Sequence, residues 1–117
     1  MIDPAGITGY HAHIYYDEES RGRAARVRES IEANFTVVMG RWRDMPVGPH
    51  PQAMYQVAFG PAEFPRIVPW LMLNRESLTV LVHPETGDAY TDHAVNALWL
   101  GDKLRLDVEM LRNLAKG

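Results

Sequence analysis

The stretch from Gly9 to Tyr16, GYHAHIYY, decides how this chain folds. Tyr10, Ala12, Ile14 and Tyr16 alternate with His11, His13 and Tyr15, and a period of two sends successive side chains to opposite faces of a strand. One face is apolar; the other carries two imidazoles and a phenol.

Reading outward from that strand, the period changes at Asp17. Asp17, Glu18 and Glu19 supply the acidic first turn of a helix, and Ala24, Val27, Ile31 and Phe35 recur at three- and four-residue spacing, so the helix is predicted to end near Asn34. Phe35 to Trp42 is strand-like, and Asp44 to Pro51 is a proline-glycine loop that carries His50. Gln52 to Phe59 reads as a third strand, with Ala53, Tyr55, Val57 and Phe59 opposite Met54, Gln56 and Ala58, and Gly60-Pro61 stops it. A second helix runs from about Pro61 to Asn74, bent or restarted where Pro65 and Pro69 remove backbone donors. Ser77 to His83, SLTVLVH, is a fourth strand. The tail from Asp92 to Ala115 reads as helical, first in DHAVNALWLG and then, after Gly101, in LRLDVEMLRNLA.

The order strand, helix, strand, strand, helix, strand is that of the split βαβ unit. The expected fold is therefore an α+β, ferredoxin-like sandwich: a four-stranded antiparallel sheet with two helices on one face and a helical C-terminal tail. In that topology the first strand lies between the fourth and the third. The helices meet the aliphatic sides of the first and fourth strands, which leaves His11, His13, Tyr15, Gln56, Thr79, Leu81 and His83 on an open face. An open face and an amphipathic tail favour a homodimer.

Composition narrows the function. With 117 residues and a 46% hydrophobic share, the chain has room for one core, so residues 1–117 are expected to be a single domain. Lysine and arginine total 12 against 15 acidic residues, and the resulting charge of -3, without a dense basic block, argues against nucleic acid as a partner. The chain has no cysteine, so imidazole, carboxylate and tyrosine are its reactive groups, and a transition metal would be held by nitrogen and oxygen. Met1 to Gly6 lacks a signal-peptide pattern, and no run approaches the roughly 18 apolar residues of a membrane span. A cytoplasmic protein with no membrane partner is expected.

The five histidines are the chemistry-bearing feature. In an antiparallel pair the end of one strand lies beside the start of its neighbour, so His83 is expected next to His11. Adjacent strands are only about 4.8 Å apart, and same-face residues along one strand about 7 Å, which brings three imidazoles within reach of one ion. His93 follows the turn Pro84-Glu85-Thr86-Gly87-Asp88 and can return to the same edge, while His50 precedes the third strand. Neutral imidazole suits zinc, iron, copper or nickel. The plainer alternative is a dimer interface in which histidines and tyrosines satisfy one another.

Four histidine-bearing segments carry a resemblance: Tyr10-His11-Ala12-His13-Ile14-Tyr15, Gly48-Pro49-His50-Pro51, Leu81 to Asp88 with His83, and Asp92-His93 followed by Ala97 to Gly101. In order and spacing they resemble the DOPA 4,5-dioxygenase family, from Thr8 to about Gly101. The resemblance implies extradiol cleavage of a small DOPA-like catechol by O2 at a non-haem Fe(II), the ring opening beside its two hydroxyls and not between them. It implies His11, His13 and His83 as metal ligands that leave positions free for substrate. Zinc or another divalent ion would be able to replace iron in a purified sample. A common ferrous site has two histidines and a carboxylate, so Glu85, Asp88 or Asp92 stands as an alternative to one of the three. His50 and His93 are left for proton transfer, and each can equally be a ligand. Tyr15, Tyr55 and Gln56 are candidates for substrate binding, against an ordinary packing role for the tyrosines. Arg41 and Arg43, flanking Trp42, are candidates to receive a substrate carboxylate, against a solvated surface role. The competing function is a non-catalytic, dimeric metal- or small-ligand-binding module of the same fold.

Overall fold

A computed structural model describes residues 1–116 of the chain. Its elements are β1 (Gly9–Tyr15), α1 (Arg21–Asn34), β2 (Val38–Met39), β3 (Met54–Phe59), α2 (Phe64–Asn74), β4 (Val80–Glu85), α3 (Ala89–Ala94), β5 (Leu98–Leu100) and α4 (Val108–Lys116). The strands form one antiparallel sheet in the order β2-β3-β1-β4-β5. The first four strands and two helices give the split βαβ arrangement read from the sequence, with β1 between β4 and β3.

The fifth strand corrects that reading. Leu98 to Leu100 was expected within a helical tail, but it pairs with β4, Leu81 opposite Trp99 and Val82 opposite Leu98. The triplet alternates: Leu98 and Leu100 turn towards the helix-covered core, while Trp99 turns to the other face with Tyr15, Met54 and Leu81. Helix α3 is correspondingly short, and it begins before Asp92, where the Asp88 carboxylate accepts from the Thr91 amide at 3.2 Å.

Other boundaries shift for local reasons. Asp17 and Ser20 exchange hydrogen bonds of 2.9 and 2.8 Å between side chain and backbone, so the acidic residues occupy a turn ahead of α1 and not its first turn. Pro65 sits in the first turn of α2, where a missing amide costs nothing, and Pro69 lies inside that helix. Strand β4 starts at Val80 because Glu76 and Ser77 take positive φ of 52° and 64°. Strand β2 is only two residues long because the chain leaves β3 after Gly40 and rejoins it at Arg43, opposite Met54.

Beneath α1 and α2 the core gathers Ala12, Ile14, Val27, Ile31, Val57, Ile67, Leu71, Val80 and Val82, all essentially buried. Each large aliphatic side chain buried there contributes about 1.5–3 kcal/mol. The opposite face, expected to be open, is open only in part. Ala97, Trp99, Leu104 and Leu106 pack over Tyr15, Met54 and Leu81, and the Asp107 amide donates to the Pro49 carbonyl at 2.9 Å. The chain thus covers part of its second face with its own C-terminal segment. Among the described residues, no helix is long and apolar enough to cross a membrane.

Candidate metal centre

Register places three of the histidines. His11 stands directly opposite His83 in the β1–β4 pair, and His13 stands opposite Leu81 on one side and Gln56 on the other. Strand alternation then sends His11, His13 and His83 to the same face. The His13 and His83 Nε2 atoms lie 3.1 Å apart, and the His11 and His83 ring centres 5.1 Å apart. The remaining two histidines arrive on other elements. The loop before β3 lays His50 against His13, with ring centres 4.2 Å apart, and α3 lays His93 against His83 at 3.8 Å.

The backbone path to His93 is fixed by a contact the sequence reading did not anticipate. The buried Asp92 carboxylate accepts from both the Thr86 amide, at 2.9 Å, and the Thr86 hydroxyl, at 2.5 Å. This lock ties α3 back to the end of β4, and His93 is the next residue. The nearby carboxylates are engaged as follows. Asp92 is committed to Thr86, Asp88 caps α3, and Glu85 lies at the Nδ1 edges of His11 and His83, at 3.2 and 3.4 Å. Among the described residues, the two groupings able to hold a metal ion are all imidazole: His11 with His13 and His83, and His13 with His50 and His93. Within each grouping the donor atoms lie within 4.8 Å of one another, and His13 belongs to both.

Hydrogen bonds orient the rings. His83 Nδ1 donates to the Pro84 carbonyl at 3.0 Å, and His93 Nδ1 donates to the Ala89 carbonyl at 2.8 Å. A carbonyl oxygen only accepts, so in both neutral rings Nε2 keeps its lone pair. Burial pushes every member of the cluster towards its neutral form. It lowers His83 to about 3 and His50 to about 4, each helped by repulsion from His93, and it lowers His13 well below the usual range. His11 and His93 are lowered by burial as well. Neutral imidazole is the ligand form, so the site is prepared for a cation without having to lose protons first.

One further observation fits a metal ion. Two nitrogens bound about 2.1 Å from one ion at a right angle stand about 3.0 Å apart, close to the 3.1 Å between His13 and His83. The donor set is thus of the right kind, charge state and spacing for a divalent transition metal.

The Tyr15 hydroxyl and His50 Nδ1 are hydrogen-bonded at 2.7 Å, a pairing across 35 positions that no local pattern signals. Burial raises the Tyr15 phenol, so it stays protonated near neutrality. His13 and His50 open onto a cavity of about 260 Å³ that Gln56, Arg41 and Arg43 also line. Tyr55 is not brought to the cluster. As alternation along β3 requires, it points to the helix-covered side, is fully buried, and donates its hydroxyl hydrogen to the Ala24 carbonyl at 2.8 Å. The expectation that it lines a substrate pocket is corrected accordingly.

With the geometry established, comparison with known proteins is informative. The chain matches the profile of the Dopa 4,5-dioxygenase family over residues 10–110. It is 36% identical over 123 residues to an uncharacterized 21.2 kDa protein of Botryotinia fuckeliana, covering 94% of this chain and 67% of that one. It is 30% identical over 115 residues to the DOPA 4,5-dioxygenase of Amanita muscaria, covering 90% of this chain and 50% of that enzyme. The chain therefore spans half the length of the fungal enzyme it matches. Among solved structures, a provisionally named dioxygenase from Nostoc punctiforme superimposes with a TM-score of 0.96 at 60% identity, covering 97% of this chain and 99% of that one. An imidazole cluster able to hold a metal, in a chain matched along nearly all its length by a dioxygenase profile, leads to one assignment: this chain belongs to the DOPA 4,5-dioxygenase family.

Proposed function

We propose that the protein is an extradiol dioxygenase that opens a small, DOPA-like catechol with O2 at a histidine-bound non-haem Fe(II). The observation that carries the reading is the convergence of five neutral imidazoles, two with their Nδ1 atoms tied to backbone carbonyls and two, His13 and His50, lining a cavity. His11, His13 and His83 would hold the ion. When bound, a ferrous ion supplies Lewis-acid binding of the catechol oxygens and the one-electron chemistry that reaction with O2 requires.

The protein's own groups then bind, orient and move protons. His50 would take the catechol proton, its ring held in place by the 2.7 Å hydrogen bond between its Nδ1 and the Tyr15 hydroxyl. His93, anchored at Ala89, offers a second Nε2 lone pair beside His83. The Gln56 amide, opposite His13 and lining the same cavity, would hydrogen-bond the substrate. Trp99, stacked near Tyr15 with ring centres 6.0 Å apart, helps exclude water from the pair.

Anaerobic loading of untagged protein with Fe(II), followed by oxygen and a panel of catechols, tests this reading. Oxygen uptake with the yellow absorbance of a ring-opened semialdehyde is expected. Bound metal with no uptake for any catechol would overturn catalysis and leave a metal-binding module. The homodimer expected from an open sheet face keeps as its support only exposed apolar residues such as Val38, Met72 and Leu73, and sedimentation velocity tests it.

A further inference from the structure

We infer that Arg41 and Arg43 receive the carboxylate of a substrate side-arm, so that the site prefers an anionic catechol to an uncharged one. The inference rests on the ring-cleavage reading above and assigns the residues that would hold the side-arm of its substrate.

Three features of the backbone aim these two side chains. Val38 and Met39 pair with Ala58 and Val57, the Gly40 amide donates to the Gln56 carbonyl at 2.7 Å, and the chain rejoins β3 only at Arg43, opposite Met54. Three residues thus span two on β3, a bulge of the kind that re-aims side chains beside functional sites. A Cβ at position 40 would sit 3.0 Å from the Gln56 carbonyl oxygen, so glycine permits the close approach on which the bulge depends. Between the arginines, Trp42 anchors the segment on the opposite side. Its ring packs against Tyr16 and Tyr55, with centres 5.2 and 5.1 Å away, and the Arg21 guanidinium lies 4.0 Å over it. With Trp42 held there, Arg41 and Arg43 both line the cavity that His13 and His50 share.

Half of the ten arginines in this chain, Arg21, Arg26, Arg28, Arg66 and Arg112, are paired with a carboxylate. Arg41 and Arg43 meet none among the described residues. The nearest acid in sequence, Asp44, is turned away: it accepts from the Tyr16 hydroxyl at 2.7 Å and from Arg21 Nε at 3.0 Å. Two uncompensated guanidinium groups at the rim of a cavity floored by neutral imidazoles attract anions, and their forked donors match a carboxylate. A catechol whose ring reaches the histidines would present its side-arm to them.

Calorimetric titration of zinc-loaded, untagged protein in the absence of oxygen tests the assignment, with 3,4-dihydroxyphenylacetate and 4-methylcatechol as the two probes. Wild type is expected to bind the carboxylate-bearing probe at least tenfold more tightly. R41Q and R43Q should each reduce that ratio several-fold, and the double variant should bring it close to one. A ratio near one in wild type, a ratio unchanged in the double variant, or failure of both probes to bind overturns the inference. Oxygen uptake by the iron-loaded protein with the same two catechols separates this outcome from that of the ring-cleavage reading. Uptake without charge preference removes the arginine seat and leaves ring cleavage, whereas preference in binding without uptake removes ring cleavage and leaves the seat.

Discussion

Taking the metal-free protein from pH 7 to pH 5 adds protons that its unfolded chain accepts and its folded form refuses. His83 and His50 titrate near 6.5 when unfolded, but burial and the neighbouring His93 lower them to about 3 and about 4 in the folded protein. Between those values and 6.5 the unfolded state binds more protons, so stability is complete above about pH 6.5 and falls as the pH drops through that window. One pH unit is worth about 1.36 kcal/mol per group, and pH 5 lies about 1.5 units below the unfolded value. Each histidine therefore costs about 2 kcal/mol, and the two together about 4 kcal/mol, with His13 adding to the loss in the same direction. Set against a typical domain stability of about 5–15 kcal/mol, that is a large share. With a urea slope of about 2 kcal/mol per molar, the denaturation midpoint should fall by about 2 M between pH 7 and pH 5. The assay is urea unfolding of untagged protein with a chelator present, followed by tryptophan fluorescence at several pH values. A midpoint that stays constant across this range would refute the claim that the imidazoles are packed neutral.

Other perturbations separate the roles within the cluster. H13A removes the histidine common to both groupings and should abolish metal retention, measured by mass spectrometry of the purified protein, whereas H50A and H93A should keep the metal and lower turnover by about 10²–10⁴-fold. Y15F deletes the hydroxyl bonded to His50, so it should destabilise the fold by about 1 kcal/mol and shift the acidic limb of the pH–rate profile with metal content unchanged. G40A forces a Cβ to within 3.0 Å of the Gln56 carbonyl oxygen, so it should cost about 1–3 kcal/mol in thermal or urea unfolding and weaken the affinity for an anionic catechol together with stability.

The sequence disclosed the parts of this account that depend on period and pairing. GYHAHIYY alternates without interruption, and SLTVLVH does so well enough to place His83, so antiparallel geometry alone brought His11 and His83 opposite each other. Alternation likewise separated Gln56 from Tyr55, although the buried hydroxyl contact of Tyr55 with Ala24 became visible only in three dimensions. The strand β5 was hidden because three residues are too few to establish a period, and a preceding helical turn absorbs them into a helical reading. The covering of the second face was hidden for a related reason: Leu104 and Leu106 alternate in an extended segment, but they lie in a stretch whose later residues do form a helix. The commitment of Asp92 to Thr86 was hidden as well, because Thr86, six residues earlier, gives no sequence sign that it is the partner. The Tyr15–His50 bond depends on the course of a proline-glycine loop, which local propensity does not fix.

The most direct test of the central claim is anomalous diffraction at the iron edge from anaerobic crystals of untagged, Fe(II)-loaded protein. A single peak at about 2.1 Å from nitrogens of His11, His13 and His83 is the predicted result. A peak seated on Glu85 or Asp92, or no peak among those three histidines, would contradict it.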